Sequence, residues 1–316
     1  MRASLRDPVL QAELVAEGSV AVPVLDAEAV AALLADLQSL RPADGFAPTA
    51  RDGLLNHHVT LLDRDVDYRR ATHAMLVRHF QPAIDRLLDR HRVVASNFHV
   101  KQPGDGSFPS HQNWPVLPLD QTSVTIWCAL VDADEENGTL HVVPRSHKLL
   151  PHVEGPAVRS YFDSFRPQIA RYMKPLPARA GHGHVFDDSV IHGSPANRSQ
   201  RSRIAVQVIC VPEEAQPIFF HPCGERFEII AAESDFYVEQ SARELTERRP
   251  GWRSLGFVEN RNRPIDEAEF RQRLGLPPDP AAAPAHEAAP AAPSAPPTLG
   301  ERLRATAARW AQALRG

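Results

Sequence analysis

The sequence predicts a mainly β domain flanked by helices. Three observations carry that prediction. Two amphipathic helical segments come first, at least five short β-rich runs separated by Pro, Gly, Asn and Asp clusters follow, and an Ala/Pro tract then ends the pattern.

Residues 18–25 alternate small and β-branched side chains and read as a short strand. Asp26 then offers an N-cap for a helix over residues 27–40, where Val30, Leu33, Leu34 and Leu37 recur at helical spacing. A second helix is expected over residues 68–90, with Met75, Leu76, Phe80, Ile84, Leu87 and Leu88 along one side. The β-rich runs cover residues 93–100, 123–131, 140–143, 184–186 and 204–211. Residues 277–297 are almost entirely Ala and Pro, a composition that packs no core and favours a stiff, extended linker. Thr298 and Glu301 then form a capping-box pattern, and Leu299, Leu303, Trp310 and Leu314 share one face of a basic helix over residues 298–316. That tail helix either docks on its own domain or offers a face to a partner or a membrane surface. The expected organisation is therefore a domain over residues 1–275, a linker and an amphipathic tail helix.

Composition narrows the function. The net charge is -4 with both signs interspersed, so no basic field points to a nucleic-acid partner. No apolar run approaches the length of a transmembrane segment. The first ten residues carry charges and Pro8 in place of an apolar core, so a secretory leader is not expected. Cys128, Cys210 and Cys223 are an odd, widely spaced set, giving neither a disulfide framework nor a zinc pair. Reduced thiols in a cytoplasmic protein are the expectation.

Most of the fifteen histidines call for no special role, but two stand in informative contexts. His111, in Ser110-His111-Gln112-Asn113-Trp114, falls at the edge of a strand, where positions i and i+2 point to one face. His111 and Asn113 can therefore aim at one point. His192 lies in Ile191-His192-Gly193-Ser194, after the turn-rich Asp187-Asp188-Ser189. A His-x-carboxylate pair with a distant His is the facial triad that holds Fe(II) and leaves positions open for a cosubstrate and O2. Arg203 follows eleven residues after His192, leading into the apolar run 204–211. An arginine there is expensive unless it meets an anion, and its planar fork suits a carboxylate. An ordinary salt bridge is the competing reading.

With these residues in view, the chain resembles the phytanoyl-CoA dioxygenase family. The resemblance is carried by Phe98-His99-Val100-Lys101-Gln102-Pro103-Gly104, by His111-Gln112-Asn113-Trp114 and by Ser123-Val124-Thr125-Ile126-Trp127. It continues in Glu136-Asn137-Gly138-Thr139-Leu140, Pro144-Arg145-Ser146-His147 and His192-Gly193-Ser194-Pro195-Ala196-Asn197-Arg198-Ser199. It runs from about Leu14 to Val211, with residues 219–237 and 256–274 as a variable C-terminal extension. It implies a double-stranded β-helix, the jelly roll of cupin-like proteins. It also implies an oxidoreductase using Fe(II) and 2-oxoglutarate with O2 as co-reactant. Carried over by position, His111 and His192 match the iron ligands, and Arg203 matches the partner of the far 2-oxoglutarate carboxylate. Lys101, Trp127 and Ser194 match positions that help to hold the cosubstrate. Gly138 and residues 144–147 match a structural loop, and neither His141 nor His147 is expected on the metal.

One position departs from the pattern: Asn113 stands where the family carries Asp. An amide offers iron only a neutral carbonyl oxygen. Three readings stay open: weak ligation by Asn113, replacement by a nearby acid with Asp120 the closest, or an impaired site in a protein that only binds. Halogenating relatives of such folds carry Ala or Gly there, so halogenation is not expected. The sequence does not give the substrate; the absence of a basic cluster for CoA phosphates points to a small polar or natural-product-like molecule.

Overall fold

The computed structural model describes residues 3–40, 46, 48, 57–233, 235–240 and 244–277. Helix α1 (Pro8–Glu17) opens the chain, capped by Asp7, whose carboxylate accepts from the Val9 and Leu10 amides. Its periodicity is weak and only Leu14 is buried, so the cap defines it more than an apolar stripe does, and helical spacing did not predict it. Gly18 ends the helix at φ 82°, where a Cβ would overlap His147 and Val190. Strand β1 (Ser19–Pro23) and helix α2 (Ala27–Leu40) follow as expected, with Asp26 accepting from the Ala29 amide. After β2 (His58–Val59) comes α3 (Val66–Leu87), which stops short of residue 90 because Leu88 turns extended to feed the next strand.

Eight strands then build the core: β3 (His91–Lys101), β4 (Phe108–His111), β5 (Val124–Ala129), β6 (Leu140–Val142), β7 (Lys174–Leu176), β8 (His182–Asp187), β9 (His192–Ser194) and β10 (Arg203–Pro212). They assemble into a six-stranded sheet of order β1-β8-β5-β10-β3-β2 and a four-stranded sheet of order β4-β9-β6-β7. Every pairing is antiparallel. This is the jelly roll, a mainly β architecture with flanking helices.

The pleat of the large sheet sorts its residues into two buried faces. Phe98, Val100, Ile126, Val185, Val206 and Val208 point one way and pack with Leu33, Leu37, Leu76, Phe80 and Ile84 of the helices. The alternate residues point into the roll, where Trp127, Ala129, Phe186 and Ala205 meet Leu140, Val142 and Val190 beneath the small sheet. The polar residues His99, Lys101, Arg203 and Gln207 share this inward parity. At Gly183 a Cβ would lie 1.8 Å from the Trp127 carbonyl oxygen, so β8 approaches β5 at a distance only glycine allows.

The C-terminal extension proves to be a third sheet, β11 (Ile218–Cys223), β12 (Arg226–Ala231) and β13 (Ser254–Glu259), with helices α4 (Phe236–Glu239) and α5 (Glu267–Arg273). Buried Arg69 on α3 fastens it by donating to the backbone carbonyls of Val238 and Glu239, each at 2.8 Å. Residues through Leu276 form one compact unit and Pro277 begins a second, so the linker and tail helix read from the sequence lie outside the described residues beyond Pro277. The three thiols are free, with Cys128 and Cys210 buried and Cys223 exposed. No helix among the described residues is long and apolar enough to cross a membrane.

Candidate active site

The register of β4 and β9 sets His111 directly opposite His192. Their ring centroids are 4.2 Å apart. His111 Nδ1 lies 2.8 Å from the Pro109 carbonyl oxygen, and His192 Nδ1 lies 2.9 Å from that of Val190. A carbonyl can only accept, so Nδ1 carries the proton in both rings and each Nε2 is left with its lone pair. Burial pushes the His192 imidazole down to about 4 and His111 well below its ordinary value, the latter helped by His192 itself. Two neutral imidazoles with oriented Nε2 lone pairs are a donor set for a divalent metal. The loop ahead of β9 is held by Ser146, whose hydroxyl oxygen accepts from the Ile191 amide at 2.8 Å.

His111 and His192 line a small cavity of about 40 Å³ with Trp127, Ser194, Arg203 and Gln207. Arg203 is 3% exposed, and its Nε has no hydrogen-bond partner. Burial alone pulls the guanidinium down to about 10. The salt-bridge reading of Arg203 is therefore not met by any ion pair among the described residues. An orphaned buried guanidinium in a cavity is a cradle for an anion. Lys101 lies opposite Arg203 in the β3–β10 register and is fully buried. Its Nζ donates to the carbonyl oxygens of Pro195 at 2.6 Å and Ser194 at 3.3 Å, and it is not among the residues lining the cavity. Burial, then the neighbouring Arg203, lowers the lysine to about 6.

Asn113 lines a second, adjoining cavity of about 270 Å³ that shares His99, Phe108, His111 and Gln207 with the first. Its Nδ2 donates to Asp188 Oδ1 at 2.9 Å and to Thr125 Oγ1 at 3.0 Å. Its Oδ1 lies 3.4 Å from Gln207 Nε2. Asp120 is exposed and lines a different, larger groove. Among the described residues no group of three His, Cys, Asp or Glu side chains could hold a metal, so Asp120 does not replace the missing acid. His147 Nε2 pairs with the Val15 carbonyl and His141 lines neither cavity, as the structural reading of that loop expects.

The larger cavity is chiefly apolar. Leu61, Trp114, Val116, Ile209, Tyr237 and Leu245 contribute its walls, and Ser96, Asn97 and Gln240 add hydrogen-bonding groups. Sequence reasoning passed over Gln207, His99 and Asp188. A signal existed for two of them: polar residues alternating within apolar strands, His99 with Lys101 and Gln207 with Arg203, mark an inward face. Asp188 carried none, because a turn aspartate is ordinary.

Residues 15–205 match the family model described as phytanoyl-CoA dioxygenase (PhyH). The chain is 33% identical over 130 residues to phytanoyl-CoA dioxygenase 1 of Oryza sativa subsp. japonica, a span covering 40% of this chain and 46% of that one. It is 30% identical over 114 residues to the methylphosphonate hydroxylase of Gimesia maris, covering 35% and 42% respectively. The chain thus spans about half the length of the curated relatives it matches. Among solved structures, the non-heme alpha ketoglutarate dependent carbocyclase SnoK from nogalamycin biosynthesis superposes with a TM-score of 0.50 at 19% identity. That match covers 67% of this chain and 86% of SnoK, and shares the fold.

Proposed function

Because the chain belongs to the phytanoyl-CoA dioxygenase family, we propose that it is an Fe(II)- and 2-oxoglutarate-dependent dioxygenase that hydroxylates an aliphatic C–H of a small organic substrate. The observation that carries this reading is Arg203, a buried guanidinium with an orphaned Nε in the cavity that His111 and His192 also line.

In this reading His111 and His192 hold the metal through Nε2, with the Asn113 amide oxygen as the third protein donor. The bound metal and cosubstrate supply the oxidation: O2 and 2-oxoglutarate yield succinate and CO2, with one oxygen atom delivered to the substrate C–H. The protein supplies position and polarity. Arg203 pairs with the far carboxylate of the cosubstrate, and Trp127 and Ser194 flank it. Lys101 braces the Ser194–Pro195 backbone, and with burial lowering it to about 6 its contribution is the position of that backbone and not a charge. The Nδ1 hydrogen bonds fix both imidazoles, so no tautomer change is needed when metal arrives. The 270 Å³ cavity sharing His111 supports a substrate with an apolar body and one or two hydrogen-bonding groups, since no charged side chain lines it among the described residues.

The test is 2-oxoglutarate turnover. Succinate should form in a reaction needing Fe(II) and O2, at a background rate without substrate and faster with an apolar substrate from a panel. A chain that binds 2-oxoglutarate but makes no succinate with any substrate would favour the second reading, a catalytically impaired binding protein, for which Asn113 is the reason.

A further inference from the structure

We infer that Asp188 is a positioning residue for the metal site: it turns the Asn113 amide so that Oδ1 faces the His111 side, and it sets one negative charge directly behind that amide. The inference rests on the reading of His111 and His192 as metal ligands, and extends it to a residue that reading does not use.

The amide orientation follows from its neighbours. Asp188 Oδ1 accepts from the Thr125 hydroxyl at 2.5 Å and from Asn113 Nδ2 at 2.9 Å. An ionised carboxylate offers no proton, and the Thr125 proton is already given to Asp188. Both groups facing the Asn113 side chain on that side are therefore acceptors, so its NH2 must meet them and its oxygen must point away. The backbone repeats the tether, with the Asn113 amide donating to the Asp188 carbonyl at 2.9 Å. Asn113 lines both the 270 Å³ cavity that it shares with His111 and a further cavity of about 220 Å³ that it shares with Asp188, and Asp188 lines neither of the cavities that hold His111, so Asn113 stands between the two.

Its electrostatic situation points the same way. Asp188 is 4% exposed, and its Oδ2 has no hydrogen-bond partner. It forms no ion pair among the described residues; the nearby Lys148 pairs with Asp187 at 3.8 Å instead. A buried carboxylate without a cation is costly, and a divalent ion one amide away relieves that cost. The aspartate missing from position 113 is thus present one side chain further out, its charge conveyed through a polarised amide.

The test transposes the two side chains and reads Co(II) affinity by visible absorption without turnover, in wild type, D188N, N113D and the N113D/D188N double variant. Loss of an outer carboxylate should weaken metal binding about 10- to 100-fold in D188N. N113D alone should gain nothing over wild type, because two carboxylates at hydrogen-bond distance cannot both ionise freely. N113D/D188N keeps the number of acids and amides, guards against misfolding, and should restore wild-type affinity or better. D188N binding Co(II) within twofold of wild type, or a double variant as weak as D188N, overturns the inference. Co(II) bound by wild type and lost in H192A, with D188N unchanged, would leave the metal site standing and remove only Asp188 from it. A wild type that binds no Co(II) would sink both.

Discussion

Replacing Arg203 by Met should move two properties in opposite directions. Met keeps the aliphatic stem that packs in the roll and removes only the guanidinium. In the ligand-free protein that guanidinium is buried with no ion pair among the described residues, and burial pulls it down to about 10, so the native state disfavours the charge. Against an ordinary value of roughly 12.5 the penalty is on the order of 3 kcal/mol. Ligand-free R203M should therefore be as stable as wild type or more so, by up to about 3 kcal/mol. For a domain of this size that raises the unfolding midpoint by several degrees, at about 2 °C per kcal/mol. Removing one member of a buried, hydrogen-bonded charge pair costs about 2–5 kcal/mol of binding, so 2-oxoglutarate should bind roughly 30-fold to several thousand-fold more weakly. Calorimetric titration of 2-oxoglutarate in the presence of Mn(II) measures the second effect, and thermal unfolding without ligand measures the first. A variant that unfolds several degrees earlier yet binds 2-oxoglutarate like wild type would show that Arg203 supports the fold and not the ligand.

Two further outcomes follow from the same strands. Lys101 has a native value near 6 against an ordinary one above 10, so across that range the unfolded chain alone holds the proton. Raising the pH from 6 to 10 should then stabilise the ligand-free protein, by at most about 1.4 kcal/mol per pH unit from this group, and urea unfolding of K101M should show a correspondingly flatter profile. A slope identical in wild type and K101M would contradict the assignment. G183A puts a methyl group 1.8 Å from the Trp127 carbonyl oxygen in the centre of the large sheet. It should cost more than 3 kcal/mol or leave the protein insoluble, whereas a shift under 1 kcal/mol by chemical denaturation would mean that β5 and β8 can part without penalty.

Much of the roll was legible in the chain. The five β-rich runs became β3, β5, β6, β8 and β10, because strands buried on both faces read as apolar runs bounded by turn residues. Helix α2 was legible because Val30, Leu33 and Leu37 form a stripe that the sheet buries, and α1 was not because it buries only Leu14. The short strands β4 and β9, which oppose His111 to His192, are too brief to leave a periodic trace and are defined by pairing. The third sheet escaped because its apolar residues find their partners far off in the chain, Phe219 and Ile230 packing on Val94, Ala95 and Val211 of β3 and β10. At the site, spacing and the cost of a buried arginine singled out His111, His192 and Arg203, and the structure sets the two histidines opposite each other and lines one cavity with all three. The orientation of the Asn113 amide was not legible, since it depends on Thr125 and Asp188, 12 and 75 residues away in the chain.

The central claim is that one cavity holds a metal on His111 and His192 and 2-oxoglutarate on Arg203. Anaerobic titration of the protein with Fe(II) and then 2-oxoglutarate tests it most directly, by the weak visible charge-transfer absorption of a metal-chelated 2-oxo acid. The band should saturate near one equivalent, disappear in H192A and need far more 2-oxoglutarate in R203M. No band in the wild type at saturating Fe(II) and 2-oxoglutarate, or an unchanged band in H192A, would contradict it.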